Sequence, residues 1–312
     1  MTEQELIADC WGKNRLVLGT AQLGMPYAIA NKTGQPDAHQ AFTIVKTAWD
    51  NGIHEFDTAQ AYGESECILG AALAELGVSQ QAKIITKIDP QIELENECEL
   101  RRSVEKSLNY LRVNRLFGLM IHREENINLT SQKLRSAVRD LIRDGLSSHI
   151  GISVYTPVMA IQAIETDFFD MLQMPANILD RRFYEAGILE LARKKQKQLY
   201  IRSIFLQGLL LMEPHQIPVE MRFAQSLLAS FTSLSEEIGR SRQEIALTYV
   251  KSRYPDARII FGAETPLQVL ENVRAWPNHL SIFWVNRLEE KLSPVDESVV
   301  DPRLWSKLTV KG

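Results

Sequence analysis

The chain has 312 residues, 45% hydrophobic and 24% charged, a balance that fits a folded globular protein and excludes a disordered chain, a collagen-like repeat or a disulfide miniprotein. Thirty-five Lys and Arg against 39 Asp and Glu leave a net charge of −4, so neither nucleic acid nor an anionic membrane is expected as a partner. No apolar run reaches the roughly 18 to 20 residues that span a bilayer, and the first thirty residues lack a secretory pattern; Cys10, Cys67 and Cys98 form no C-x-x-C pair, so a cytoplasmic protein with reduced thiols is expected.

In chain order, short apolar or β-branched runs predict strands at 16–20, 54–59, 83–88, 116–122, 148–154, 171–175, 199–205 and 257–263. Helical segments lie between them. In 97–111, Leu100, Val104, Leu108 and Leu111 repeat at helical spacing, and in 131–144, Leu134, Val138, Leu141 and Ile142 do the same before Gly145, a plausible cap. The basic group Arg193, Lys194, Lys195 and Lys197 suits a solvated helix end. This alternation, with no Pro, Gly or Ser-rich linker at its midpoint, predicts a single (β/α)8 TIM barrel over 1–312. Pro214 and Pro218 mark 213–230 as an inserted loop over the barrel mouth, and 281–312, with Trp284, Pro294, Pro302 and Trp305, as a tail across one end.

In such a barrel the reactive side chains leave the C-terminal ends of the strands. Asp57 ends the second predicted strand, Tyr62 follows in its loop, Lys87 lies near the end of the third and His122 ends the fourth. Singly, each suits an ordinary turn, packing or surface role. Together they place a phenol beside titratable partners that can tune it for proton transfer near neutral pH. The six His residues are scattered, so no metal site is expected, and Rossmann, P-loop, zincin and nucleophile-elbow motifs are absent.

The segments LVLGTAQLG (16–24), FDTAQAYGESECILG (56–70), ITK (85–87), MIH (120–122), GIS (151–153), QMPAN (173–177), RSIFLQGLL (202–210) and FGAETPLQVLEN (261–272) resemble the aldo-keto reductase superfamily over nearly the whole chain. The resemblance implies a catalytic tetrad of Asp57, Tyr62, Lys87 and His122. In that scheme Tyr62 donates a proton to a carbonyl that receives a hydride, Lys87, paired with Asp57, lowers the phenol's pKa, and His122 orients the carbonyl. It also implies cofactor contacts from Gly19, Thr20, Ala21 and Asp57, a carboxamide site at Ser153 and Gln173, and a pyrophosphate segment, Ser203 through Gly208, including Phe205 and Leu206. Beyond the last strand it implies contacts from Gly262, Ala263, Glu264, Gln268, Glu271 and Asn272. There Thr265 can cap a helix opened by Pro266, whose backbone N–H groups suit a phosphate.

Three residues depart from the family's usual pattern. Val154 replaces an amide or basic residue after Ser153, Arg202 stands where an aromatic ring stacks on the nicotinamide, and Glu264 stands where the 2′-phosphate of NADP approaches. The expected cofactor is NADP(H), with NAD(H) as the alternative, and the expected substrate is a small carbonyl compound. The opening GTAQLGMPYAIANKTG resembles bacterial members found with polysaccharide biosynthesis, which implies a sugar-derived carbonyl. The alternative reading of the chain is a nucleotide-binding sensor or regulatory subunit with the same fold and little turnover.

Overall fold

The computed structural model describes residues 14–124, 131–292 and 295–305; Cys10, Pro294 and the last part of the expected tail, 306–312, lie outside them. Eight parallel strands close in sequence order: β1 (Leu16–Gly19), β2 (Glu55–Asp57), β3 (Lys83–Lys87), β4 (Leu116–Ile121), β5 (Ser147–Ser153), β6 (Met171–Pro175), β7 (Gln198–Arg202) and β8 (Arg258–Gly262), with β8 returning to β1. The predicted (β/α)8 barrel is the observed fold. Most strands stop a residue or more short of the sequence limits. The predicted strand 199–205 ends at Arg202 because Ser203, at φ 60°, turns the chain out of the extended region.

The principal helices are α1 (Ala38–Asp50), α2 (Ser65–Glu75), α3 (Glu97–Leu111), α4 (Gln132–Arg143), α5 (Pro157–Glu165), α6 (Ile188–Lys194), α7 (Gln225–Ile238), α8 (Arg242–Arg253), α9 (Pro266–Ala275) and α10 (Ile282–Lys291). Several begin at the signals legible in sequence. Ser131 accepts from Leu134 N–H at the start of α4, and Thr265 accepts from Gln268 N–H ahead of Pro266 in α9. Among the described residues no helix is long and apolar enough to cross a membrane.

The two-residue period of the strands sorts their side chains. Leu16, Leu18, Phe56, Ile84, Leu119, Ile121, Leu172, Leu199, Ile201, Ile259 and Phe261 belong to the large apolar layer shared with the helices. Val17, Ile85, Met120, Met171, Tyr200 and Ile260 form a separate cluster that fills the barrel interior. Toward the N-terminal ends, Glu55 accepts from the Tyr200 hydroxyl at 2.6 Å and lies 3.5 Å from Arg258. One step further along each strand, past the apolar plug, the same period delivers Gly19, Asp57, Lys87, Ser153, Gln173, Arg202 and Gly262 to the opposite end. The site is thus the third layer of a packed barrel.

The segment 213–230 is only partly the expected loop. Short 3-10 turns occupy Pro214–Gln216 and Val219–Ala224, and α7 begins at Gln225 because apolar residues at helical spacing bury Leu228, Phe231 and Leu234. The described part of the tail is helical in α10 and at Glu297–Val300. It returns to the barrel through Glu289, which pairs with Arg253, and Arg303, which pairs with Asp301 and Glu124.

Gly70 fixes how closely α2 approaches the end of α3. A Cβ there would stand 2.1 Å from the Tyr110 carbonyl oxygen and 2.7 Å from Leu111 backbone atoms, which cannot swing aside. Gly70→Ala should lower the urea midpoint, with an overpacking cost of about 1–3 kcal/mol exceeding the roughly 1 kcal/mol helix-propensity gain. An unchanged or raised midpoint would show that the two helices separate without penalty.

Candidate active site

A buried ion pair lies at the centre of the layer. Lys87 Nζ, 1% exposed, donates to both oxygens of the Asp57 carboxylate at 2.8 Å and to the Thr58 carbonyl at 2.9 Å. Gln173 Nε2 donates to Asp57 Oδ1 at 2.7 Å. In register Asp57 faces Ile85, so Lys87 stands two residues further along β3 and its long stem reaches back to β2. All three ammonium hydrogens therefore have acceptors, and none is left for a further partner.

Tyr62 is carried on a turn whose backbone is fixed from two sides. Ser65 Oγ, at the start of α2, meets Thr20 Oγ1 at 2.8 Å and Thr58 Oγ1 at 2.9 Å and donates to the Thr20 carbonyl at 2.8 Å. Gln60 bonds Ser103, Ser107 and Asp89 N–H, tying the same turn to α3 and the loop after β3. Gly24 and Gly63 make the close approach possible: a Cβ on Gly24 would fall 1.9 Å from the Tyr62 carbonyl oxygen, and Gly63 adopts φ 56° with Gly24 O where its Cβ would be. The Tyr62 ring then lies with its centroid 5.0 Å from Lys87 Nζ and 5.9 Å from the His122 ring, edge to face.

The electrostatics differ from the sequence expectation in one respect. Loss of solvent, then the Asp57 carboxylate, hold the Tyr62 phenol above its ordinary value, with Arg202 opposing them. Lys87, paired at contact with Asp57, offsets that carboxylate and does not carry the phenol below its ordinary value. Burial likewise lowers Lys87, against the pull of Asp57. His122 is pushed down to about 3, first by desolvation and then by Lys87, so it is neutral in ordinary conditions; among the described residues its buried Nδ1 has no hydrogen-bond partner.

A cavity of about 500 Å³ runs from Tyr62 across the mouth toward α9. Of the sequence-derived positions, Gly19, Thr20, Ala21, Asp57, Tyr62, Arg202, Ser203, Phe205, Gly208, Gly262, Glu264, Gln268, Glu271 and Asn272 line it. Lys87, His122, Ser153 and Gln173 do not. Lys87 and Gln173 stand behind Asp57, and Ser153 is buried beside Gln173 in the β5–β6 register. The side chains of Leu206 and Ala263 are buried in the apolar layer behind the wall, and each flanks a residue that lines the cavity.

A second wall, not indicated by the sequence, is made by the loop after β1, including Gln22, Tyr27, Ala30 and Lys32, together with Gln216 and Gln243. The β1 and β7 loops meet where Ala30 N–H faces the Gln207 carbonyl at 3.5 Å and a Cβ on Gly208 would press on Ala30 at 2.5 Å. Leu206, Gln207 and Gly208 all have positive φ, and the N–H groups of Leu206 and Gly208 turn back to the Ser203 and Phe205 carbonyls at 2.9 Å. Among the described residues the N–H groups of Ile204, Phe205 and Gln207 have no backbone acceptor. Asn272 Oδ1 and Gln173 Oε1 are likewise buried without partners. Glu264 is half-buried, burial raises its carboxyl pKa, and among the described residues no cation pairs with it. Only its backbone is engaged, by Gln268 Oε1 at 2.6 Å and Gln40 Nε2 at 2.9 Å. Among the described residues no three His, Cys, Asp or Glu side chains converge as metal ligands.

Comparison with known proteins agrees with this architecture. The chain is 24% identical over 298 residues to pyridoxine 4-dehydrogenase of Escherichia coli, covering 91% of this chain and 94% of that one. It is 25% identical over 297 residues, 84% of each chain, to a Schizosaccharomyces pombe protein provisionally named as a voltage-gated potassium channel subunit beta. The solved glycerol dehydrogenase of Gluconobacter oxydans superposes with a TM-score of 0.72 at 23% identity, over 91% of this chain and 94% of that one. The model of the Aldo/keto reductase family matches residues 15–293, a span that holds the whole barrel and every residue of the cavity, and the chain belongs to that family.

Proposed function

We propose that the protein interconverts a carbonyl compound and its alcohol with a nicotinamide dinucleotide, Tyr62 acting as the proton donor in the reductive direction. The observation that carries this reading is the Tyr62 phenol on the cavity wall, with the Lys87–Asp57 ion pair on one side and the His122 ring edge to face on the other. The residues present fit the cofactor. The N–H groups of Ile204, Phe205 and Gln207, and Lys32 on the same cavity, suit a pyrophosphate; the unmatched Asn272 side-chain oxygen on the cavity can take an amide or amino donor.

A bound reduced nicotinamide supplies the hydride that adds to the carbonyl carbon. Tyr62 gives its phenolic proton to the carbonyl oxygen, so hydride plus proton account for the alcohol formed. Asp57 fixes Lys87, and Lys87 screens the Asp57 charge from the phenolate that forms. His122 supports the oxygen as a neutral donor through Nε2–H, the tautomer we assign because an unpartnered lone pair on Nδ1 costs less than an unpartnered N–H. For the nucleotide we propose NAD(H), the alternative to the expected NADP(H), on the charge at the α9 end of the cavity. The unpaired Glu264, with Glu271 on the same cavity, repels a 2′-phosphate and accepts from a free ribose hydroxyl.

Steady-state oxidation of reduced nucleotide with a carbonyl panel that includes sugar-derived aldehydes tests the reading. Tyr62→Phe should cut reduction by about a hundredfold or more while nucleotide binding is nearly unchanged. Full activity in that variant would remove Tyr62 from the chemistry. Tight nucleotide binding with no turnover would favour a nucleotide-binding subunit instead.

Lys87→Met leaves Asp57 unbalanced beside the phenol. The Tyr62 pKa should rise further, moving the pH profile of alcohol oxidation, which needs the phenolate, to higher pH and lowering the rate. An unchanged profile with substantial activity would reduce Lys87 to a structural role. For the nucleotide, fluorescence-quenching titrations of Glu264→Gln should show NADPH affinity rising relative to NADH by about tenfold, the weight of one mispaired charge. An unchanged ratio would place Glu264 away from the ribose.

A further inference from the structure

The charges at the catalytic end of the cavity do not balance. Lys87 is matched by Asp57, His122 is neutral, and Arg303 is held by Asp301 at 2.6 Å and by Glu124 at 3.5 Å. Arg202, at the end of β7, lines the cavity with Tyr62 and Tyr27, and no carboxylate among the described residues reaches it. Its hydrogen bonds go only to neutral acceptors at the edge of bonding distance, the Val154 carbonyl and Ser203 Oγ, each at 3.3 Å.

The guanidinium is nevertheless held in place. It stacks on the Tyr155 ring at 4.2 Å, and Arg303 stacks on the same ring at 3.6 Å. Tyr155 N–H donates to Glu124 Oε2 at 2.7 Å, so the carboxylate that engages Arg303 also fixes the backbone beneath the ring. The acids of this cluster are committed to Arg303, which leaves Arg202 as a positioned cation facing the cavity. A planar guanidinium with donors to spare is matched by a carboxylate.

We infer that Arg202 selects a substrate that carries a carboxylate near its reacting carbonyl, an oxo acid or an aldehyde acid, as distinct from a neutral carbonyl compound. This rests on the carbonyl-reductase reading of the same site and narrows its substrate class. The carboxylate replaces the weak neutral contacts of Arg202 with charge-assisted ones, and the carbonyl is then anchored beside Tyr62 at a fixed offset from the anion.

The test uses 2-, 3- and 4-carboxybenzaldehyde beside their methyl esters, so that charge changes at three offsets while the aldehyde stays the same. For at least one isomer the acid should exceed its ester in kcat/KM by about tenfold or more, the weight of one charge-assisted hydrogen bond. Arg202→Met should bring that acid-to-ester ratio close to one, and Arg202→Lys should restore part of it. The ratio cancels any effect of the substitution on nucleotide binding. Calorimetric binding of the corresponding (hydroxymethyl)benzoates to wild type and Arg202→Met gives a readout independent of turnover. Carboxylate binding that depends on Arg202, without reduction of any aldehyde, would strike the redox reading and leave Arg202 as an anion site. Equal handling of acids and esters at all three offsets, or a ratio unmoved in Arg202→Met while nucleotide affinity falls, would overturn the inference and assign Arg202 to the cofactor.

Discussion

Two opposite charges buried at one end of a packed barrel set the terms for the rest of the site. Taking an ammonium and a carboxylate out of water costs several kcal/mol each, and only close, saturated pairing makes that tolerable. Asp57 and Lys87 meet the condition, with every ammonium hydrogen placed and Gln173 holding one carboxylate oxygen. The apolar plug beneath them, from Val17 to Ile260, keeps solvent from entering from the far end. Removing either partner strands the other as a buried charge beside the phenol. The strand register between β2 and β3 is therefore tied to the chemistry above it.

That pairing also decides what kind of acid the phenol is. A lysine with free donors would draw the Tyr62 proton off early; a lysine already matched leaves a neutral phenol under the influence of desolvation and of Asp57. The turn that carries Tyr62 is correspondingly overdetermined, through Ser65, Gln60 and the contact of Gly24 with Gly63. Along the cavity the charge changes sign, from the unmatched Arg202 beside Tyr62 to Glu264 and Glu271 beside α9. Such a gradient orients an extended ligand before any single contact is made.

The strands were legible because each is a short apolar run ended by a polar residue or a turn former, and the shared layer of Asp57 and Lys87 because period-two alternation places those strand ends together. What escaped the sequence was of two kinds. The β1-loop residues Tyr27, Ala30 and Lys32 reach the cavity through a loop–loop contact at Gly208 that no local pattern encodes. The sign of the Tyr62 shift escaped because residue types give the presence of a cation but not whether its hydrogens are already taken. The burial of the Leu206 and Ala263 side chains escaped because a loop alternates its faces irregularly, and 213–230 was read as loop throughout because two prolines hid the apolar spacing of α7.

Following the Tyr62 ring by NMR in protein labelled at the tyrosine ζ-carbon, with Tyr62→Phe for assignment, gives the most direct test of a matched pair beneath a protonated phenol. In the nucleotide-free protein the resonance should remain that of the neutral phenol up to and beyond the ordinary tyrosine pKa of about 10. Titration of Tyr62 well below that value would contradict the matched pair, and would mean that Lys87 acts on the phenol as an uncompensated cation.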